Sequence, residues 1–254
     1  MTTTLIVLAH PERRSFTGAW AEATARACAE AGDEVIWSDL GQIGFDPAER
    51  ADHYRGISPT DRFDPLKVQE DAAENCALPD DVSEEIRKIR AADRVIFHFP
   101  IWWFAPPAVL KGWFDRVLAH GALHSVDERF DTGMCRGKSA LFCVTTGSKA
   151  TESAFNGKEG DIRLLLWPAA YTLRYLGFSV YVPEVIHGVH GYHTGAELAE
   201  MEQRLKAALD GQSKLVAGLK TREQMRFNSN TDFDAEGRLR PDRPSHSPFI
   251  RHGE

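Results

Sequence analysis

The chain has 254 residues, a formal net charge of −7 at pH 7 and an isoelectric point near 5.8. This acidic balance argues against general binding to nucleic acids or to anionic membrane surfaces. We also expect neither membrane insertion nor a signal peptide. The sequence contains no apolar run of about 18 residues, and its N-terminus lacks a basic stretch before a cleavage site.

Five short apolar runs predict the strands of a sheet. They span residues 4–9, 34–40, 93–100, 138–146 and 178–186. The first, third and fourth show little alternation of apolar and polar residues, which is typical of strands buried on both faces. Helical patterns occupy residues 15–32, 81–91, 108–119 and 194–219. Strands that alternate with helices predict an α/β fold, with a parallel sheet and helices on both of its faces.

Two segments do not follow this alternation. Residues 41–79 are polar and proline-rich, and a connection of this length usually covers a site or contacts a partner. Residues 222–254 show neither a strand nor a helix period, so we predict an extended arm after a domain of residues 1–221. A disordered end is the alternative. We favour an arm packed across a dimer, because its Phe and Ile side chains would otherwise lack apolar partners.

The cysteines indicate a reducing compartment. They form no CxxC pair and lie in unlike contexts, at Cys28, Cys76, Cys135 and Cys143. We interpret them as free thiols of a cytoplasmic protein.

A histidine-rich stretch, "HGVHGYH", spaces three imidazoles at His187, His190 and His193. No helical pattern aligns them, and no acidic or thiol partner accompanies them in the sequence. We therefore predict no metal site and instead expect a loop beside the active site.

The loops that follow strands one, three and four are the first places to look for a ligand. Ligands of open parallel sheets bind at the carboxyl ends of the strands. The first loop, "HPERRSFTGAW", opens a helix at Ser15, and the amides of a first helical turn attract anions. It contains neither GxGxxG nor a Walker loop. A phosphate-bearing ligand fits, and an ordinary capped helix with solvated arginines is the alternative.

The other two loops have an aromatic and a hydroxyl character. "FPIWWFAPP" follows strand three and places three aromatic residues beside prolines, which suits a flat conjugated ligand or a hydrophobic interface. "VTTGS" ends strand four, where Gly147 permits close approach of the backbone to a ligand.

Four strings carry a resemblance to a known family: "LIVLAHPERRSF", "AADRVIFHFPIWWFAPPAVLKGWFDRV", "SALFCVTTGS" and "LLLWP". Over about residues 4–209 the chain resembles the flavodoxin-like NAD(P)H:quinone oxidoreductases, the DT-diaphorase family. The resemblance implies a twisted five-stranded parallel sheet in the order 2-1-3-4-5. It also implies a homodimer with flavin sites at the subunit interface, and two-electron, ping-pong reduction of quinones by NAD(P)H. The implied cofactor is FAD, with FMN as the alternative.

The resemblance also implies roles for individual residues. Cofactor contacts are implied at His10, Ser15, Phe16, Thr17, Asp64, Pro100, Ile101, Trp102, Trp103, Phe104, Thr145, Thr146, Gly147 and Ser148. Catalytic positions near the charged edge of the reduced ring are implied at Gly147, Ser148, Ser153 and Glu159. Substrate contacts are implied at Trp103, His124 and Val126.

The chain departs from the family at several of these positions. Ser153 and Glu159 stand where the family has a Tyr and a His, so Lys149 or Lys158 could supply the positive charge instead. His124 and Val126 replace two tyrosines and predict a wider, more polar pocket mouth. Ala199 replaces an arginine near the adenine phosphates.

Two other functions are compatible with the same patterns. One is an NAD(P)H-dependent FMN or azo-dye reductase. The other is an accessory flavoprotein of a potassium-efflux system. In that case residues 41–79 and the tail could form the surface that docks onto the partner.

Overall fold

The centre of the fold is a parallel sheet. The computed structural model describes residues 1–57 and 62–253, so residues 58–61 of the proline-rich segment lie outside the described residues. The first four strands are β1 (Thr3–Leu8), β2 (Glu34–Asp39), β3 (Arg94–Pro100) and β4 (Ser139–Thr146). They lie in the order β2-β1-β3-β4, and every pair is parallel. All carboxyl ends therefore meet at one edge of the sheet.

The fifth predicted strand is divided in the structure. β5 (Ser179–Val180) and β6 (Glu184–His187) both pair in parallel with β4. Between them, the N–H of Val182 donates to the carbonyl of Glu223 in the tail (2.9 Å) instead of to the sheet, and Pro183 has no N–H with which to continue the ladder. The predicted order 2-1-3-4-5 is confirmed, with β5 and β6 in succession beside β4.

The helices of the described residues flank this sheet. They are α1 (Phe16–Glu30), α2 (Pro65–Glu74), α3 (Asp80–Ala91), α4 (Ala108–Val117), α5 (Ile162–Tyr175), α6 (Gly195–Asp210) and α7 (Gln212–Gly218). The predictions for α1, α3 and α4 are confirmed. The predicted helix over residues 194–219 divides at Gly211 into α6 and α7. The sequence patterns predict neither α2 nor α5. In α5, Pro168 lies inside the helix and reads as a helix breaker.

Two hydrophobic clusters fill the spaces between sheet and helices. Alternate residues of each strand point to opposite faces, so Val95 and Phe97 of β3 join the cluster under α3, α4 and α5. Ile96 joins the cluster under α1 and α7, which contains Trp20. The predicted placement of helices on both faces is confirmed. None of the helices in the described ranges is long and apolar enough to cross a bilayer.

The tail after residue 221 packs against its own chain. Phe249 stacks on Trp167 of α5, with ring centroids 4.8 Å apart, and Phe227 contacts Tyr171 of the same helix (5.8 Å). The amide of Asn228, which is buried, donates to the carbonyl of Pro244 (2.8 Å). Phe227 and Phe249 of the tail thus contact aromatic residues of their own chain, and Phe249 stays 57% exposed.

Candidate active site

The first site loop enters α1 through a tight crossing. Ser15 caps α1, and its Oγ accepts a hydrogen bond from the N–H of Gly18 (3.2 Å). A Cβ at Gly18 would lie 2.0 Å from the carbonyl oxygen of Arg13, so only glycine lets the loop pass this close. The hydroxyls of Thr17 and Thr145 are 3.3 Å apart, which joins the start of α1 to the end of β4. The free amides of the first helical turn therefore lie beside the carboxyl end of the sheet.

The two arginines of this loop are bound to side chains of their own chain. Arg13 donates to Asp39 at the end of β2 (3.0 Å) and to Gln42 (2.8 Å). Arg14 pairs with Glu12 (2.8 Å) and is largely solvent-exposed; its hydrogen bonds lower the pKa of Glu12 to about 2. The alternative of two solvated arginines therefore does not hold for Arg13, which binds the loop to the end of β2.

Replacing Arg13 by alanine is expected to lower the free energy of unfolding by about 1–3 kcal/mol, because Asp39 is only 6% exposed and would lose its charged partner. The matched change at the neighbouring Arg14 is expected to stay within about 0.5 kcal/mol, because its pair is a surface one. Urea denaturation of the two variants checks this. Equal losses would contradict the assignment of Arg13 to the fold.

His10, in the same loop, contacts the aromatic segment that follows β3. Its ring contacts Trp102 edge-on at 5.8 Å, and its Nδ1 lies 3.0 Å from the backbone nitrogen of Glu12. Burial is the main cause that lowers the pKa of His10. The contact joins the loop after β1 to the loop after β3.

The aromatic segment after β3 is a strained turn. Trp102 and Ala105 exchange both backbone hydrogen bonds (2.9 and 3.1 Å), and the two residues between them have positive φ, +49° at Trp103 and +61° at Phe104. A two-residue turn of this kind normally contains Asn-Gly, because bulky residues at positive φ cost about 1–3 kcal/mol each. The two side chains at the tip of this turn project into solvent: Trp103 is 94% exposed and Phe104 is 51% exposed. Such strain, combined with exposed rings, is typical of a ligand clamp.

The turn after β4 carries a chain of hydroxyls. Thr146 Oγ1 is 2.8 Å from Ser148 Oγ, which is 2.5 Å from Ser153 Oγ. Ser153 is buried. Gly147 is exposed, and no protein atom lies within 4 Å of the position that a Cβ would take there. A ligand could therefore approach the backbone of this turn directly.

These parts enclose a cleft of about 440 Å³. Its walls come from the aromatic turn, the hydroxyl turn and the start of α5, and they include Ile101, Trp103, Phe104, Thr146, Gly147, Ser148, Ser153 and Glu159. Pro100 and Thr145 lie just behind it as paired residues of β3 and β4. The structure thus brings together most of the predicted cofactor and catalytic positions.

Three predicted residues lie outside the cleft, and one of them, His124, lines a larger groove beside it. Asp64 stands at the start of α2, where its side chain makes no capping hydrogen bond. Val126 is exposed and lines a separate depression shared with the tail. In a single chain neither borders the cleft.

A model of a family described by its flavodoxin-like fold matches residues 2–209. The chain is 38% identical over 208 residues to the ribosyldihydronicotinamide dehydrogenase (quinone) of Mus musculus, covering 80% of this chain and 90% of the mouse protein. It is 38% identical over 188 residues to the NAD(P)H dehydrogenase (quinone) 1 of Rattus norvegicus, covering 73% of this chain and 68% of the rat protein. The chain belongs to the flavodoxin-like NAD(P)H:quinone oxidoreductase family. The resemblance carried by the four strings is therefore confirmed.

A solved structure extends the likeness beyond the family domain. A Klebsiella pneumoniae protein proposed to be a quinone reductase superposes with a TM-score of 0.81 at 31% identity, covering 95% of each chain. This share is larger than residues 1–221 could supply alone. The likeness to this relative therefore includes part of the tail.

Ser153 and Glu159, for which the resemblance implies catalytic positions, have different surroundings in this chain. Ser153 is hydrogen-bonded to Ser148, and Glu159 lines the cleft. Lys158 lies 2.9 Å from Glu152, and this pair raises the pKa of the lysine. The charge of Lys158 is therefore partly compensated, and the cleft wall combines the hydroxyl chain with the side chains of Glu152, Lys158 and Glu159.

A second, larger groove adjoins the cleft. It has a volume of about 960 Å³ and shares Phe104 and Leu165 with the cleft. His124 lines it, as does an aromatic face of α5 formed by Trp167, Tyr171 and Tyr175. Sequence reasoning missed this face because it missed α5. The signal was present in "WPAAYTLRY", since aromatic residues four apart share one side of a helix.

Proposed function

We propose that the chain catalyses the flavin-dependent two-electron reduction of quinones, or of similar flat acceptors, by NAD(P)H in a ping-pong reaction. The observation that carries this proposal is the strained turn at Trp103 and Phe104, which exposes aromatic rings between a hydroxyl-lined cleft and an aromatic groove. The names of the mouse and rat relatives, both quinone dehydrogenases, support it.

The residues of the cleft fit a flavin. The space at Gly147 and the exposed Trp103 offer room and stacking area for a flat ring. The amides of Phe16 and Thr17, at the start of α1, and the hydroxyl of Ser15 suit its phosphate. When bound, a flavin supplies hydride transfer from nicotinamide to the acceptor. FAD is the cofactor we propose, with FMN as the alternative.

The chain's own groups orient the reactants and hold charge. Trp102, Trp103 and Phe104 would stack along the flat ring, and the ring of His10 contacts Trp102 edge-on. The backbone of Gly147 and the hydroxyls of Ser148 and Ser153 face the cleft, where fixed dipoles stabilise developing negative charge. Glu159 would oppose that charge when ionised.

The proposal includes a homodimer in the cytoplasm and no nucleic-acid partner. In such a dimer Asp64 and Val126, which do not border the cleft of their own chain, would face the site of the partner. Within one subunit, we divide the chain into a flavin-binding domain of residues 1–221 and an arm of residues 222–254.

A second candidate is an NAD(P)H-dependent FMN or azo-dye reductase. Ala199 on α6 favours it, because the family's arginine near the adenine phosphates is missing there. Arg13 is held by Asp39 and cannot readily replace it. Such an enzyme would require a site for only one phosphate.

Purified protein is expected to retain a flavin and to oxidise NADH or NADPH with benzoquinone when no partner protein is added. Acid release of the flavin followed by chromatography distinguishes FAD from FMN, and an azo dye assayed in parallel tests the second candidate. A flavin-loaded protein without turnover on any acceptor would favour the accessory role. Failure to bind either flavin would overturn the proposal.

A further inference from the structure

The ionisable side chains that line the cleft, among the described residues, all belong to the loop between the hydroxyl turn and α5. They are Glu152, Lys158 and Glu159. Two carboxylates against one ammonium give this wall a formal charge of −1. The aromatic turn and the hydroxyl turn add only uncharged groups to the lining. The cleft is therefore negatively charged on one side.

The ammonium of this wall is bound by Glu152. Oε1 of Glu152 lies 2.9 Å from Nζ of Lys158, and the other oxygen, Oε2, accepts a hydrogen bond from the N–H of Lys149 (3.0 Å). The pair with Glu152 raises the pKa of Lys158, so the lysine stays protonated and paired. The charge that remains for the cleft is the carboxylate of Glu159.

The backbone holds Glu159 in this wall. Its N–H donates to the carbonyl of Glu152 (2.9 Å), and the N–H of Gly160 donates to the carbonyl of Gly157 (3.1 Å). A Cβ at Gly157 would lie 2.1 Å from the carbonyl oxygen of Glu152, so only glycine permits the loop to cross itself here. Glu159 is thus fixed at the cleft by a closed loop, and its carboxylate has no ion pair among the described residues.

The neighbouring elements do not offset the charge of Glu159. The start of α5 is capped by Asp161, whose carboxylate accepts a backbone hydrogen bond of the first turn (2.9 Å). In the adjoining groove, Lys111 and Asp115 bind each other (2.7 Å). Lys149 is exposed and does not line the cleft, so solvent screens its charge. A ligand in the cleft therefore meets an uncompensated carboxylate.

Resting on the proposed function, we propose that Glu159 is a specificity-determining residue, which makes the enzyme select neutral and cationic flat acceptors over anionic ones of the same shape. An anionic acceptor brings a second negative charge to this wall, and displacement of water from the cleft strengthens the repulsion between the two. The disfavoured acceptors are quinones and azo dyes that carry a sulfonate or a carboxylate. Glu152 is a positioning residue, because it binds both Lys158 and the backbone of Glu159.

Three small aromatic ligands of nearly the same shape measure the charge of the cleft without turnover. They are benzoate, benzamide and benzamidinium, which are anionic, neutral and cationic at neutral pH. Their binding to the flavin-loaded protein can be followed by the change in flavin absorbance. We expect benzamidinium to bind most tightly and benzoate most weakly. Each step of charge should change the dissociation constant about fivefold at low ionic strength, and less at high salt.

Variants of the wall should shift these affinities in opposite directions. Glu159→Gln removes the charge at nearly constant shape and should bring the dissociation constants of benzoate and benzamidinium together, whereas Glu159→Asp keeps the charge and should keep the order. Lys158→Gln leaves both carboxylates unopposed and should widen the gap about fivefold. Lys220→Gln, which removes a positive charge at an exposed position outside the cleft wall, is the matched control and should follow the wild type.

The same preference should appear when the reduced enzyme is reoxidised by an acceptor. The rate constants with a naphthoquinone and with its sulfonate are measured for each variant and expressed as a ratio. The intrinsic reactivity of the two acceptors then cancels when variants are compared. The rate with the sulfonate, relative to that with the parent quinone, should rise about fivefold in Glu159→Gln and fall in Lys158→Gln.

Three results would overturn the proposal. The first is an unchanged order of affinities in Glu159→Gln. The second is a response of Lys220→Gln as large as that of Lys158→Gln, which would assign the preference to the overall negative charge of the chain. The third is binding of none of the three ligands. If the flavin-loaded wild type reduces no quinone, the proposed function itself fails, whereas the order of affinities is decided without turnover.

Discussion

Replacing Trp103 by asparagine is expected to stabilise the flavin-free chain and to weaken flavin binding at the same time. Trp103 is 94% exposed, so its removal costs almost no buried area. Its φ of +49° is unfavourable for tryptophan and acceptable for asparagine, and relief of this strain is expected to add about 1 kcal/mol to the free energy of unfolding. The lost stacking surface should weaken flavin binding by about tenfold or more, since stacking of an aromatic side chain on a flat base contributes about 1–3 kcal/mol.

Two measurements separate these opposite effects. Urea denaturation of the flavin-free protein reports the strain, and titration with FAD followed by protein fluorescence or flavin absorbance reports the binding. Trp103→Phe is the matched control, because it keeps both an aromatic ring and the positive φ. It should neither stabilise the chain nor weaken binding strongly. A stable Trp103→Asn variant with unchanged flavin affinity would show that the exposed ring does not contact the cofactor.

The sequence predicts the sheet because its strands are buried on both faces. Runs such as residues 93–100 lack alternation, and this distinguishes them from surface strands. The break between β5 and β6 is not visible in the same way. It depends on the pairing of Val182 with Glu223, a contact between segments that are 41 residues apart. Helix α5 is not predicted from the sequence because Pro168 suggests the end of a helix. The aromatic residues after Pro168 nevertheless continue one face of this helix.

The candidate site is predictable in part for a similar reason. Each of its three loops directly follows a strand, so the topology alone brings them to one edge. Partners from distant segments are not predictable. Asp39 determines what Arg13 does, and Glu70 and His120 determine the surroundings of His124. A local sequence motif contains no information about such contacts, which arise only when α2 and the loop after α4 pack together.

One buried histidine is expected to account for a large part of the stability that the fold loses below pH 6.5. His98 lies in β3 and is fully buried, with both ring nitrogens unpaired among the described residues. Its ring meets Trp20 edge-on at 5.4 Å. Burial lowers the pKa of His98 from 6.5 to about 3. In this interval the unfolded chain binds a proton that the folded chain does not, so stability is lost as the pH falls below 6.5.

The size of the effect follows from the interval. Each pH unit between 6.5 and about 3 lowers the free energy of unfolding by about 1.4 kcal/mol. The loss of unfolding free energy attributable to His98 is therefore about 2.7 kcal/mol at a pH of about 4.5.

The variant His98→Leu is expected to lose less stability in acid than the wild type by this amount. The variant His252→Leu, at an exposed position, should follow the wild type. Chemical denaturation of the three proteins between about pH 8 and about pH 4.5 measures the difference. The other titrating groups act equally in all three, so their contribution cancels in the comparison. Parallel loss of stability in the wild type and His98→Leu would mean that the folded chain accepts a proton at His98, which its apolar surroundings in β3 and α1 argue against.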